Sequence, residues 1–152
     1  MLKNILVPLD GSQVAERALD YAEQIIDPEG KLTLLTVIDV PDYPAAMFYP
    51  AGIATYELSK ETAQNELIPQ AQEYLKKIAS NLMQKGLQNV RTEAVIGEPA
   101  SSIVEKADQL AVDAIVMSTH GRTGVSRWLF GSVANKVLNS TERPIFIIPV
   151  KR

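Results

Sequence analysis

The 152 residues are 46% hydrophobic and 22% charged, the proportions of a single globular domain over residues 1–152 with a sizeable core and no room for a second. The 15 basic against 18 acidic residues give a net charge of -3 with no basic run, which argues against nucleic acid as a partner. With no cysteine and one histidine, His120, disulfides and thiolate chemistry are excluded and an all-protein zinc site has too few ligands.

The opening MLKNILVPLDGS carries one positive side chain and a short apolar run broken by Pro8 and Asp10-Gly11, which is not the build of a signal peptide. No apolar stretch reaches the length of a membrane span. The expectation is a soluble cytoplasmic protein with no membrane partner.

Residues 4–9, NILVPL, read as a strand buried on both faces that ends in a turn at Asp10-Gly11. Ser12 is placed to cap a helix whose apolar stripe runs through Val14, Ala15, Ala18, Leu19, Ala22, Ile25 and Ile26 and which Pro28 and Gly30 should terminate. Residues 32–38, LTLLTVI, form a second strand. From Asp39 to about Thr55 three prolines and scattered aromatics predict a long surface loop. A long helix follows, with Leu67, Ala71, Tyr74, Leu75, Ile78 and Leu82 on one stripe, a disturbance expected at Pro69 and a stop at Gly86. Residues 90–96 are a third strand. Gly97-Glu98-Pro99 then opens a helix with proline in its preferred first turn and Ala100, Ile103, Val104, Ala107 and Leu110 facing inward. Residues 113–118 form a fourth strand, a glycine-bearing loop leads to a short helix opening at Gly131-Ser132, and residues 144–150, PIFIIPV, are the fifth strand.

Five strands joined by helix-length crossovers specify an α/β doubly wound fold, a parallel sheet with helices on both faces. In the order 3-2-1-4-5, strands one and four adjoin where the order reverses, and ligands bind such sheets beyond the carboxyl ends of the strands at that reversal. The segments that meet there are Pro8-Leu9-Asp10-Gly11-Ser12 and the loop from Ser118 to Ser132. Gly121 and Gly124 allow a close backbone approach, and Gly131-Ser132 opens a helix whose free N–H groups favour an anion. The same glycines also suit an ordinary turn. Neither of the standard phosphate-loop fingerprints is present, since Ser132 rather than Lys follows Gly131 and no G-x-G-x-x-G follows the first strand. A nucleophile elbow is absent too.

The segment STHGRTGVSRWLFGS resembles the glycine-rich nucleotide loop of the universal stress protein family: Gly121, nine intervening residues, then Gly131-Ser132. NILVPLDGS, TVID, the G-E-P-A helix start and RPIFIIPV also resemble that family, so the likeness spans essentially the whole chain. Ser118 departs from it, standing where the pattern has its first glycine. The resemblance implies that Pro8, Leu9 and Asp10 line the adenosine end, that Val37 meets the base through its backbone, and that Met117 and Ser118 lie near the ribose. It implies that Gly121, Gly131, Ser132, Val133 and Ala134 hold the phosphates of ATP, with Mg2+ or Mn2+ on the phosphate oxygens. It further implies a homodimer paired through strand 144–150.

Asp10 reads equally as an Asx-turn or helix-capping residue. His120 reads as a loop residue with local hydrogen bonds, and no catalytic residue is assigned. Arg122 and Arg127 suit a triphosphate or solvent; Trp128, Leu129 and Phe130 suit a core anchor or a lid. The functional expectation is an ATP-responsive regulatory protein of the stress response. A slow ATPase on the same fold and a dimeric interaction protein without nucleotide are the alternatives.

Overall fold

The computed structural model describes residues 1–40, 50–119 and 131–149. The apolar runs of the sequence become five strands: β1 (Leu2–Pro8), β2 (Ile26–Ile38), β3 (Asn89–Ile96), β4 (Ala114–Ser118) and β5 (Ile145–Ile148). All pair in parallel, in the order β3-β2-β1-β4-β5 expected for a doubly wound sheet. Because side chains alternate along a strand, each strand feeds two cores. On one face Ile5, Val7, Leu9, Leu32, Leu34, Val116 and Ile148 pack under α1 (Gln13–Ile25) and the later α3 (Ile68–Gln84). On the other, Leu6, Leu35, Ile115 and Met117 pack under α4 (Pro99–Gln109) and α5 (Ser132–Ser140).

The helix caps follow from local chemistry. The Ser12 hydroxyl accepts from Ala15 N–H at 3.1 Å and so caps α1. α3 ends in a Schellman motif with Gly86 at φ 109°: the Gly86 and Leu87 N–H groups donate to the Met83 and Leu82 carbonyls. α4 ends by the same geometry, with Ala111 and Val112 donating to Asp108 and Ala107, but Ala111 rather than glycine holds the left-handed position at φ 48°.

Three expectations are corrected. The first helix stops at Ile25, and Ile26 opens β2 as a buried core residue. Residues Asp27–Gly30, instead of ending the helix, form an irregularity within β2 at which the pairing with β1 shifts register, from Leu2 with Ile26 to Asn4 with Lys31. Gly30 fits there because a Cβ would lie 2.9 Å from the Asp27 carbonyl oxygen and from Ile26 Cγ1. Secondly, the surface loop expected to about Thr55 gives way to helix at Pro50, where α2 (Pro50–Thr62) begins; residues 41–49 of that stretch lie outside the described residues. Thirdly, Leu67 is exposed instead of lying on the inner stripe. The disturbance expected at Pro69 is a π-helical turn, Ala63–Leu67, with Ile68 N–H bonding back to Ala63 C=O. Proline has no N–H and its ring crowds the carbonyl four residues earlier, and one wider turn relieves both while rotating Leu67 outward.

Candidate functional site

The strand register sets what meets at the reversal. Leu6 pairs with Ile115 of β4 and Pro8 with Leu35 of β2, so the turn after β1 emerges between the ends of β2 and β4. Leu9 extends the strand by one hydrogen bond, its N–H to the Leu35 carbonyl at 2.8 Å, and its side chain belongs to the core. Asp10, Gly11 and Ser12 then turn into α1. The Asp10 carboxylate accepts from the Ser12 N–H at 2.9 Å and from the Ser12 hydroxyl at 2.5 Å, forming an Asx-turn. Gly11 occupies φ 83°, in the left-handed region that strains residues with a Cβ. The Asx-turn restrains these residues locally and leaves Asp10 exposed at the crevice.

The other wall is the end of β4 and the start of α5. Met117 is buried in the same core cluster as Ala134 and Val137, which seats the first turn of α5 beside the end of β4. Gly131 is the N-cap of α5 and offers no side-chain acceptor; the first intrahelical bond is Asn135 N–H to Gly131 C=O at 2.9 Å. The N–H groups of Ser132, Val133 and Ala134 precede that bond, so the helix itself does not use them. Ser132 is exposed, Val133 is half-buried and Ala134 is in the core.

Two hydroxyls flank the end of β1. Among the described residues Ser118 Oγ and Thr36 Oγ1 are buried without a hydrogen-bond partner, as are Thr33 Oγ1 and Asn4 Oδ1 further from this rim. By register Thr36 and Ser118 lie on either side of Leu9 at the carboxyl rim of the sheet.

The expected site residues thus divide. Pro8, Leu9, Asp10, Val37, Met117, Ser118, Gly131, Ser132, Val133 and Ala134 all lie at the ends of β1, β2 and β4 or in the first turn of α5. The side chains of Leu9, Met117 and Ala134 are committed to the core, so these residues can offer a ligand chiefly their backbone. Gly121 and the neighbouring His120, Arg122, Gly124, Arg127, Trp128, Leu129 and Phe130 lie outside the described residues. Sequence reasoning missed the polar role of Tyr74. Its hydroxyl donates to Glu16 Oε1 at 2.9 Å across from α3 to α1. The signal was available, because a tyrosine on an otherwise apolar stripe carries a hydroxyl that needs a partner.

A second polar cluster borders this end of the molecule. Glu98 caps α4, accepting from the Ser101 N–H at 2.7 Å and the Ser101 hydroxyl at 2.8 Å, and pairs with Lys136 of α5 at 3.5 Å. These donors, the Ser101 N–H foremost, push its pKa down to about 2. The G-E-P-A segment therefore ties the start of α4 to α5. Gly97 allows the close approach, since a Cβ there would overlap the Ser102 hydroxyl.

A sequence profile described as "universal stress protein family" matches residues 1–149. The chain belongs to the universal stress protein family. It is 34% identical over 149 residues to universal stress protein MJ0531 of Methanocaldococcus jannaschii, covering 97% of this chain and 82% of that one. It is 31% identical over 158 residues to MJ0577 of the same organism, covering 99% and 97%. The structure of MJ0577 superposes with a TM-score of 0.77. A universal stress protein solved in complex with cAMP shares the fold at a TM-score of 0.63 and 23% identity, over 97% of each chain.

Proposed function

We propose that the chain is one nucleotide-binding unit that takes ATP into the crevice between the Asp10 turn and the first turn of α5, and that it acts as a homodimeric regulator. The observation that carries this reading is the start of α5. Among the described residues no side chain caps its first-turn N–H groups, which lie beside the end of β4, at the point where the sheet order reverses. An anion there gains both the free donors and the helix dipole. The glycine-rich loop pattern ending in Gly131-Ser132 supports a phosphate as that anion. Asp10, at the opposite wall, offers a carboxylate to sugar hydroxyls.

Among the described residues no group of three His, Asp or Glu side chains is disposed to hold a metal ion. Mg2+ or Mn2+ would be held on the phosphate oxygens, as the glycine-rich loop's resemblance to the family implies. The protein's own residues supply positioning: backbone donors for the phosphates, Ser132 for a further hydroxyl contact, and the ends of β1 and β2 for the nucleoside.

For the dimer, β5 is an edge strand, and Phe146 on it is 43% exposed. An apolar edge invites a second strand, and a second copy of β5 across a twofold axis satisfies it symmetrically. Among the described residues no helix is long and apolar enough to cross a membrane; the proposal places the protein in the cytoplasm. The test is to ask by mass spectrometry whether an adenine nucleotide co-purifies, and by titration whether Gly131→Val weakens ATP binding. A Gly131→Val variant that binds ATP as tightly as the wild type would overturn the phosphate assignment.

A further inference from the structure

The β1–α1 turn is held from a direction that the nucleotide reading does not use. Tyr74 lies on α3, a helix anchored in the core by Leu75, Ala79 and Leu82. From there its hydroxyl reaches Glu16, in the first turn of α1, whose own N–H donates to the Ser12 carbonyl at 3.2 Å. Glu16 thus carries both the bond from Tyr74 and the backbone bond to Ser12, the last residue of the turn. Burial, then the hydrogen bond to Glu16 and the charges of Glu16 and Asp10, push the phenol's pKa well above the ordinary tyrosine value. It therefore remains a donor throughout the neutral range. The partner helix is also the end of a longer arm, since α2, the π-helical turn and α3 run on from Pro50 to Gln84 without a break.

We propose that Tyr74 is a positioning residue for the crevice: its hydroxyl clamps the Asp10–Ser12 turn from α3, so that ligand affinity depends on a side chain that contacts no ligand. This rests on the crevice being the nucleotide site. The physical reason is the turn's geometry. Gly11 is in a backbone conformation that glycine adopts without penalty but does not by itself enforce, so the setting of Asp10 needs an outside restraint. The Asx-turn supplies a restraint within the turn, and Tyr74 supplies a further one from the opposite helix through Glu16. By reciprocity, a ligand that fixes the turn also favours one setting of α3.

The experiment compares the wild-type chain with Tyr74→Phe, Glu16→Met and the double variant, using ATP with magnesium and following binding by calorimetry. Tyr74→Phe keeps the ring and removes one oxygen, and Glu16→Met keeps the length of the side chain while removing the acceptor. Each single variant is expected to weaken ATP binding by roughly three- to tenfold, and the double variant no further than either alone, because both break the same bond. ATP should also shift the ring NMR signals of Tyr74 in the wild type, and Glu16→Met should abolish that shift, which a merely structural tyrosine would not show. Affinity of Tyr74→Phe within twofold of wild type, or singles whose losses multiply in the double variant, would overturn the proposal.

Amide hydrogen exchange without ligand separates the two readings. Faster exchange over residues 10–13 in Tyr74→Phe supports the clamp, and unchanged exchange overturns it. A wild-type chain that binds no adenine nucleotide would instead overturn the crevice reading on which the affinity effect depends.

Discussion

Ser132→Glu should move stability and nucleotide affinity in opposite directions. α5 is nine residues long, has no acidic residue in its first turn, and has Gly131 without a side-chain acceptor at its N-cap. A carboxylate at the exposed Ser132 therefore meets an uncompensated positive helix end and should stabilise the ligand-free protein by about 0.3–1 kcal/mol. The same carboxylate takes the place proposed for a phosphate. At a separation of about 4 Å, two unit charges repel by about 1–4 kcal/mol for effective dielectric constants between those of water and a protein surface. That corresponds to a roughly fivefold to thousandfold loss of ATP affinity. Ser132→Gln, similar in size and uncharged, should change both quantities far less. Urea unfolding of the ligand-free variants gives the first quantity and calorimetric titration with ATP and magnesium the second. If Ser132→Glu is stabilised yet binds ATP as tightly as Ser132→Gln, the free donors of α5 do not hold the phosphates and the reasoning fails.

Other consequences follow from single sites. Glu98, held at a pKa of about 2, contributes stability that is complete above the ordinary carboxylate value and is lost as the pH falls through about 2. Acid unfolding of Glu98→Gln should therefore show a shallower loss between about pH 4.5 and 2 than the wild type, and an identical profile would refute the assignment. Ala111→Gly should raise stability by about 0.5–1 kcal/mol, because alanine at φ 48° carries the left-handed penalty that Gly86 avoids at the end of α3. A fall in the urea midpoint would contradict it. Phe146→Lys places a charge on the exposed apolar edge of β5 and should shift the proposed dimer toward monomer by sedimentation, leaving the far-ultraviolet spectrum unchanged.

The strands and their parallel pairing are legible in the sequence because each apolar run is short, lies between helical periodicities and carries its own stop, such as Asp10-Gly11 after β1 or Gly97-Glu98-Pro99 after β3. The caps were readable for the same reason: Ser12 and Gly86 act on groups within a few residues of themselves. Ile26 was misplaced because it is apolar and in phase with the α1 stripe, and pattern alone does not separate a last helical turn from a first strand residue. Leu67 failed because one π-helical turn advances the helix phase, and nothing in a residue's identity announces the extra residue. At the site, the sequence supplied the turn and the first residues of α5, whose roles depend on local geometry. It missed the Tyr74–Glu16 bond, which joins residues 58 positions apart and exists only once α1 and α3 pack side by side.

The central claim is that the crevice at the sheet reversal holds an adenine nucleotide, and native mass spectrometry of the purified chain with magnesium and ATP tests it most directly. The account predicts a dimer carrying one nucleotide per chain, with the adduct depleted in Ser132→Glu. A chain that forms no adduct with ATP, ADP or AMP would contradict it.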